Sequence, residues 1–216
     1  MRLRHLKATP HLREATFNNL KNKKNNEILF SPMEYIETSI KGVYILEPKL
    51  FKDARGYFTE TYNMNDFNQH IGASVTFVQD NQSMSSKGVL RGLHYQQGED
   101  AQAKLVRVIK GKVLDVAVDI RKDSPTFGQY VMVELSEENM RQLFIPRGFA
   151  HGFYVLSDEA VFIYKVDNKY APQSERTLAY NDPTVNIEWP ISPENPPLLS
   201  EKDLNGAISL EQVIPF

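Results

Sequence analysis

A cation and an imidazole stand close together in one short stretch, residues 88–96, which reads GVLRGLHYQ. Most of its other side chains favour β-strands, in which alternate residues share a face. We therefore expect His94 and Gly92 on one face and Arg91 on the other. A glycine two residues before the histidine would let a ligand approach without meeting a Cβ. Such a histidine is either a proton-transfer group or a core residue bonded to the backbone.

A second histidine, His151, ends the run PRGFAH and raises the hypothesis of a metal site. Metal-binding barrels of the cupin type place two histidines two residues apart, then a carboxylate, then a third histidine on a distant strand. Here the position two residues after His94 is Gln96, and the other histidines stand at positions 5, 11 and 70. Two imidazoles alone make a poor metal site. We therefore expect no metal, and a metal-dependent dioxygenase is the disfavoured alternative.

Three further side chains, together with Arg91, complete a set that is suited to acid–base chemistry beside a phosphate. Arg55 and Arg91 carry the planar guanidinium that matches phosphate oxygens, and Lys104 begins an apolar strand. Tyr164 shares a strand face with apolar neighbours. Taken singly, such residues are more commonly surface ion pairs or core phenols. Because the sequence has no nucleotide-binding glycine motif and no GxSxG, the set favours cofactor-free proton abstraction beside a carbonyl.

Composition narrows the classes of partner and compartment. The chain has 216 residues, no cysteine and a net charge of −2, so disulfides are excluded and a reducing cytoplasm is expected. No apolar run is long enough to span a bilayer, and the N-terminus lacks the apolar centre of a signal peptide. Residues 1–32 carry a balance of +5, which leaves −7 for the remainder. This acidic remainder argues against nucleic acid as the main partner.

The first 32 residues differ in composition from the rest of the chain. The run NNLKNKKNNE has too few apolar residues to offset the entropy lost on ordering. We expect a flexible basic extension at residues 1–32 and one folded domain at residues 33–216. A nucleic-acid or membrane-binding arm is the alternative for the extension, and a dispensable segment is favoured.

Short strand patterns fill the folded domain. Residues 112–121 show the clearest alternation, with apolar side chains at the even positions from 114 to 120 and Asp115 and Asp119 opposite. Gly111, just before them, predicts a tight hairpin with the preceding strand.

Helix is expected only at residues 65–71, near residues 136–141 and after Ser200. About ten strands without alternating helices predict an all-β fold, an antiparallel barrel of the cupin or jelly-roll kind with few short helices.

A family resemblance is carried by six segments: LEPKLFKDARGYFTETYN, FVQDNQS, VLRGLHYQ, KLVRVIKGKVLDVAVDIRKDSPTFGQ, FIPRGFAHGF and LSEKD. Over about residues 40–203 the chain resembles the dTDP-4-dehydrorhamnose 3,5-epimerases, cupin-fold isomerases of dTDP-L-rhamnose biosynthesis. The resemblance implies inversion of C3 and C5 of dTDP-4-dehydro-6-deoxy-D-glucose to give dTDP-4-dehydro-L-rhamnose, without a cofactor. It also implies a homodimer in which early strands pair across the interface.

The same resemblance implies a role for each matching residue. His94 would be the base that removes the C3 and C5 protons, with Asp203 as its carboxylate partner. Tyr164 would return a proton on the opposite face of the sugar, and Lys104 would lie near the C4 oxygen. The implied substrate contacts are Arg55 and Arg91 at the diphosphate, Tyr170 at the thymine, and Glu60, Gln79, Asp80, Asn81, Lys104, His151, Glu175 and Lys202.

Two alternatives to the double epimerase stay open at this point. A close relative could invert only C3 or only C5, or shift the ketone, because such outcomes depend on placement finer than sequence shows. A non-catalytic sugar-nucleotide binding module is the alternative from another class, since a fold does not guarantee activity. That module would be expected to lack the base or the acid while it keeps the arginines.

Overall fold

Strand alternation organises the folded part of the chain into paired sheets. The structure, a computed structural model, describes residues 32–216, so all but the last residue of the extension expected at residues 1–32 lies outside the described residues. The strands, in chain order, are β1 Met33–Glu37, β2 Tyr44–Pro48, β3 Phe51–Asp53, β4 Gly56–Phe58, β5 Gln79–Ser86, β6 Leu90–Gln96, β7 Lys104–Lys110, β8 Lys112–Asp119, β9 Tyr130–Ser136, β10 Gln142–Ile145, β11 Phe149–Val155, β12 Glu159–Val166, β13 Glu175–Leu178 and β14 Ala207–Ile208. The helices are α1 Met64–Ile71 and α2 Glu201–Asn205.

Two six-stranded sheets make up the barrel. The first has the order β1-β2-β10-β7-β12-β5, and the second has the order β14-β13-β6-β11-β8-β9. Their pairings are antiparallel except that of β13 with β14. Strands β3 and β4 form a separate exposed hairpin. The expectation of an all-β barrel with few short helices is confirmed.

The space between the two sheets holds the main apolar core. Val106 and Phe162 reach into it from the first sheet, and Ala117 and Phe153 reach into it from the second. The rings of Phe153 and Phe162 stack with their centroids 4.2 Å apart. Burial of this cluster stabilises the barrel because apolar surface removed from water contributes about 25 cal/mol per Å². The core fills one part of the interior and leaves the other part to polar side chains.

The outer face of the second sheet is also buried. The apolar side chains of β8 that alternate with Asp115 pack there against the C-terminal segment, including Trp189 and Leu210. Asp115 and Asp119 lie on the opposite face of β8, and both are fully buried. Both faces of β8 are therefore covered. The regular alternation in the sequence therefore distinguishes two buried faces of β8. It does not distinguish a buried face from a solvent-exposed one.

Gly111 does not form the hairpin that its position predicts. It lies between β7, which belongs to the first sheet, and β8, which belongs to the second. Its φ is +77°, and a Cβ at this position would overlap the carbonyl oxygen of Glu159. The glycine therefore lets the chain cross between the sheets where the backbone of a neighbouring segment comes close.

The helix expected near residues 136–141 is a turn. Side chains of Ser136 and Asn139 bond to each other's backbone N–H groups at 3.1 Å, and Met140 has a φ of +53°. Local side-chain bonds of this kind compete with helical hydrogen bonds, which explains the difference. The other helix predictions, α1 and the turns after Ser200, are confirmed.

A buried carboxylate closes the loop after β8 and makes stability depend on pH. Asp119 accepts hydrogen bonds from Arg121, Ser124 and Thr126. Burial raises the pKa of Asp119, but these bonds outweigh it and lower the pKa from 3.8 to about 2. Because the folded-state pKa is depressed, the contribution is fully present above pH 4 and is lost as the pH falls towards 2.

We expect Asp119 to contribute about 2 kcal/mol to the pH dependence of the unfolding free energy across that window. Asp119→Asn should flatten the decline between pH 4 and pH 2, measured by urea unfolding at several pH values. Parallel slopes in both proteins would contradict the assignment. Glu138→Gln, at an exposed position in the turn after β9, is the control.

Candidate functional site

Polar side chains from five strands line a cavity of about 250 Å³ inside the barrel. Its lining consists of Asn81, Gln82 and Ser83 from β5, Arg91 and His94 from β6, Lys104 from β7, His151, Gly152 and Phe153 from β11, and Phe162 and Tyr164 from β12. Six of these are residues that the sequence singled out. Residues that are 70 positions apart in the chain therefore meet because the strands that carry them pair within the two sheets.

Arg91 and His94 face the same cavity, although strict alternation predicts opposite faces. His151 lies opposite His94 across the β6–β11 pair, and Phe153 lies opposite Arg91. Strand β6 thus advances three residues where β11 advances two. The additional residue is a β-bulge, which reverses the alternation between the two polar side chains.

Gly92 makes room for the neighbouring strand and not for a ligand, so the prediction of open space beside His94 is wrong. Its φ is +131°, a conformation that L side chains rarely adopt. A Cβ here would lie 2.5 Å from the Cα of Gly152 on β11 and 2.9 Å from the carbonyl oxygen of His151. The missing Cβ lets the two strand backbones approach closely at the bulge.

A carboxylate from the far end of the chain pairs with His94. Oδ1 of Asp203 lies 2.5 Å from Nε2 of His94, and Asp203 is only 4% exposed. Ser200 caps α2: its Oγ accepts from the backbone N–H of Asp203 at 3.2 Å and donates to Oδ2 at 2.8 Å. The cap fixes the first turn of α2, and so it fixes the carboxylate against the imidazole.

The surroundings of Asp203 keep its carboxylate ionised. Burial raises the pKa of Asp203, but hydrogen bonds from His94 and Ser200 outweigh burial and hold the pKa below its ordinary value. An ionised carboxylate can stabilise the imidazolium that forms when His94 takes a proton. Since Nε2 faces Asp203, Nδ1 is the ring nitrogen left for a ligand.

A second imidazole–carboxylate pair lies beside the first. Nε2 of His151 is 3.0 Å from both carboxylate oxygens of Asp115, and both residues are buried. Burial lowers the pKa of His151, with Asp115 opposing the shift. The sequence pattern did not assign Asp115 to the site, although an acidic residue among the apolar residues of β8 was the available signal.

Lys104, the first residue of β7, lines the cavity beside His94. Its Nζ donates to the carbonyl oxygen of His94 at 3.4 Å. Burial lowers the pKa of Lys104 to about 8, and the negative charges of Asp115 and Glu175 limit the shift. The ammonium group is therefore mostly charged at neutral pH and loses its proton as the pH rises through about 8.

Tyr164 and Arg91 complete the cavity wall. Burial raises the pKa of the Tyr164 phenol, and the charge of Arg91 opposes the shift. The phenol therefore keeps its proton at neutral pH and can donate it. Nε of Arg91 donates to Oγ of the buried Ser85 at 2.9 Å, which orients the guanidinium towards the cavity.

Three predicted contact residues form a linked group on β13, α2 and the segment before β13. The hydroxyl of Tyr170 donates to Oε2 of Glu175 at 2.7 Å, and Nζ of Lys202 lies 2.5 Å from the same oxygen. Burial raises the pKa of Glu175, but the bonds from Lys202 and Tyr170 outweigh it and lower the pKa. The ion pair ties α2, which carries Asp203, to the second sheet.

The remaining predicted contacts do not line this cavity. Arg55 lies on the exposed β3–β4 hairpin and pairs with Asp53, and Glu60 follows that hairpin. Asp80 pairs with Lys165 at 2.8 Å and lines a different cavity. Gln79 lies beside the site, with its Nε2 donating to Oδ1 of Asn81 at 2.8 Å.

Among residues 32–216 there is no group of three or more histidine, aspartate or glutamate side chains that could hold a metal ion. The two cavity histidines each face a single carboxylate, and Gln96 directs its amide to the backbone. No helix in this part of the chain has the length and apolar character needed to cross a membrane.

Comparison with known proteins places the chain among sugar-nucleotide isomerases. The family model described as dTDP-4-dehydrorhamnose 3,5-epimerase matches residues 37–211. The dTDP-4-dehydrorhamnose 3,5-epimerase of Shigella flexneri is 59% identical over 174 residues, which cover 81% of this chain and 94% of the relative.

Solved structures give the same result. The crystal structure of dTDP-4-dehydrorhamnose 3,5-epimerase from Elizabethkingia anophelis matches with a TM-score of 0.80 at 50% identity, covering 84% of this chain and 99% of that one. A Legionella pneumophila 3,5-epimerase in complex with dTDP-4-keto-L-rhamnose matches with a TM-score of 0.79 at 50% identity, covering 84% and 94%. These similarities span most of the described residues.

Proposed function

The chain belongs to the dTDP-4-dehydrorhamnose 3,5-epimerase family and is an isomerase, and on that premise we propose the reaction and the residues that perform it. The substrate is dTDP-4-dehydro-6-deoxy-D-glucose, and inversion at C3 and C5 gives dTDP-4-dehydro-L-rhamnose. The observation that carries this proposal is that His94, Tyr164 and Lys104 line one cavity while a buried carboxylate backs the imidazole.

Proton abstraction beside the C4 ketone begins each inversion. Nδ1 of His94 takes the proton from C3 or C5, and the electron pair of the broken C–H bond forms an enolate with its negative charge on the C4 oxygen. Asp203 stabilises the resulting imidazolium. The ammonium group of Lys104 stabilises the oxygen anion, and one preorganised donor of this kind contributes roughly 10²–10³-fold to the rate.

Proton return from the opposite side completes the inversion. The phenol of Tyr164 donates its proton to the carbon on the face away from His94, and the enolate collapses back to the ketone. The phenolate and the imidazolium then exchange protons with solvent before the second carbon reacts. A base and an acid on opposite faces are what inversion at carbon requires.

The nucleotide part of the substrate is bound by charges and an aromatic ring around the cavity. Arg91, oriented by Ser85, contacts the diphosphate, since a guanidinium matches phosphate oxygens. Tyr170 stacks on the thymine. Gln79, Asn81, His151, Glu175 and Lys202 make the remaining contacts. Support comes from the Legionella relative, whose structure contains dTDP-4-keto-L-rhamnose.

A homodimer accounts for the residues that lie away from the cavity. The β3–β4 hairpin exposes Phe51, Tyr57 and Phe58, and Phe58 is 70% exposed. Apolar side chains in such numbers on one hairpin indicate an interface. In the dimer the hairpin packs on the partner subunit and brings Arg55 to the partner's diphosphate site, with Asp80 and Glu60 near the interface.

Mixing two inactive proteins tests this arrangement. We expect Arg55→Ala chains, which keep the base, to regain part of their activity when reassembled with His94→Ala chains, which keep the arginine. Light scattering should show that each variant and their mixture are dimers. A monomeric enzyme with full activity, or mixtures no more active than their components, would contradict the proposal.

The pKa of Lys104 gives the reaction a pH dependence. We expect kcat/KM, which reports ionisations of the free enzyme, to fall as the pH rises through about 8, because the neutral amine no longer stabilises the enolate. Lys104→Arg, whose guanidinium does not titrate in this range, should abolish this limb of the profile even if its activity is lower. An unchanged alkaline limb in Lys104→Arg would assign the limb to another group.

Direct conversion tests the proposed reaction. The purified protein is incubated with dTDP-4-dehydro-6-deoxy-D-glucose and the product is identified by its proton coupling constants in NMR. Inversion at both carbons supports the double epimerase. Inversion at only one carbon would replace it with a single epimerase, and tight binding without conversion would replace it with a binding module.

A further inference from the structure

Gln96 is buried behind the cavity, and all of its amide groups are used. Its Nε2 donates to the carbonyl oxygens of Asp100, at 2.6 Å, and Lys169, at 3.1 Å. Its Oε1 accepts from the backbone N–H of Ala171 at 2.8 Å. The side chain is 4% exposed, so these bonds are made out of water, where an unmade bond is costly.

The two backbone groups at Lys169 and Ala171 flank Tyr170. One amide therefore holds the chain on both sides of the tyrosine. The tyrosine side chain itself is 56% exposed and is free to receive a ligand on its ring. Its hydroxyl is held by Glu175, which lies directly opposite Gln96 in the β6–β13 pair.

Only a primary amide can make this set of bonds. A glutamate has no donor when ionised, and an imidazole has no more than two ring nitrogens to serve three partners. The position two residues after His94 thus requires a glutamine for a reason that is independent of the chemistry at the imidazole. Glutamine at this position fixes a loop.

We propose that Gln96 is a positioning residue for nucleobase recognition, which holds the backbone around Tyr170 so that its ring is preorganised to stack on the base. The proposal rests on the stacking role given to Tyr170 above. Without the amide, the segment would have to be ordered on binding, and that entropy would be subtracted from the affinity. The phosphates, bound elsewhere, would be unaffected.

The test compares a ligand that has the base with one that lacks it. Calorimetry should show that Gln96→Met binds dTDP about 10-fold more weakly than the unaltered enzyme, within the range that loss of base stacking produces. Binding of inorganic pyrophosphate should be unchanged. In turnover, KM should rise about 10-fold while kcat stays within about 2-fold.

Two further variants test whether weaker dTDP binding results only from a general loss of stability. Gln96→Glu keeps the acceptor for Ala171 and removes only the donors, so it should weaken dTDP binding even if Gln96→Met does not fold. Gln142→Met is the matched control, because Gln142 is 3% exposed and donates to the backbone of Thr61 at 2.8 Å. It should destabilise the protein similarly without changing the affinity for dTDP.

A double-mutant cycle with Tyr170→Ala separates this inference from the proposed function. If Gln96 acts through the ring, its replacement should have no further effect on dTDP binding in Tyr170→Ala. An unchanged dTDP affinity in both Gln96 variants beside a weakened Tyr170→Ala would overturn the inference alone, as would equal losses for dTDP and pyrophosphate. An unchanged affinity in Tyr170→Ala would overturn the stacking role as well.

Discussion

Replacement of His94 by alanine should lower kcat by a factor of about 10²–10⁴ or more, because the general base is removed. Among the residues that line the described cavity, only His94 pairs with a carboxylate that is held by a helix cap. Asp203 should remain in place through its bonds to Ser200. The variant is assayed for turnover and, by calorimetry, for binding of dTDP.

Binding of dTDP should survive in His94→Ala, since Arg91 and Tyr170 are untouched. The control is His70→Ala, which removes an imidazole on α1 that bonds to Asp66 and lies outside the cavity. That protein should turn over at the normal rate. Turnover of His94→Ala within 10-fold of the unaltered enzyme would rule out His94 as the base.

Replacement of Tyr164 by phenylalanine should separate proton removal from inversion. The ring remains and keeps its apolar contacts, but the acid is lost, so we expect inversion to slow by about 10²–10⁴-fold. His94 can still remove a proton and return it to the same face. The substrate should therefore exchange its C3 or C5 proton with solvent without a change of configuration.

Deuterium exchange and product formation, followed in one NMR sample, measure the two processes together. Tyr180→Phe removes a phenol from the apolar cluster on the outer face of the second sheet and serves as the control. It should leave both rates unchanged. Equal loss of exchange and inversion in Tyr164→Phe would mean that the phenol does not act as a separate acid.

Local patterns in the sequence were sufficient to predict most strands and the inward face of β12. Ala160, Phe162 and Tyr164 alternate along β12 and do face the interior. Period two in a strand follows from backbone geometry alone. The α1 helix was likewise predictable from its own residues, and Asn63 caps it.

Contacts between distant segments were not predictable from local patterns. Asp203 is 109 residues from His94, and only the family motif LSEKD connected them. The bulge in β6 depends on how β11 approaches at Gly152, so alternation placed Arg91 on the wrong face. The sequence pattern showed only that Gln96 stands where a metal-binding barrel has its second histidine. The hydrogen bonds of Gln96 could not be predicted, because they join it to loops from other parts of the chain.

Heavy water tests most directly whether one imidazole removes protons from two carbons beside the ketone. The enzyme is incubated with dTDP-4-dehydro-6-deoxy-D-glucose in deuterium oxide, and NMR follows label at C3 and C5. We expect deuterium at both carbons with the unaltered enzyme and at neither with His94→Ala. Inverted product that carries no deuterium, or label at both carbons in His94→Ala, would contradict proton abstraction by His94.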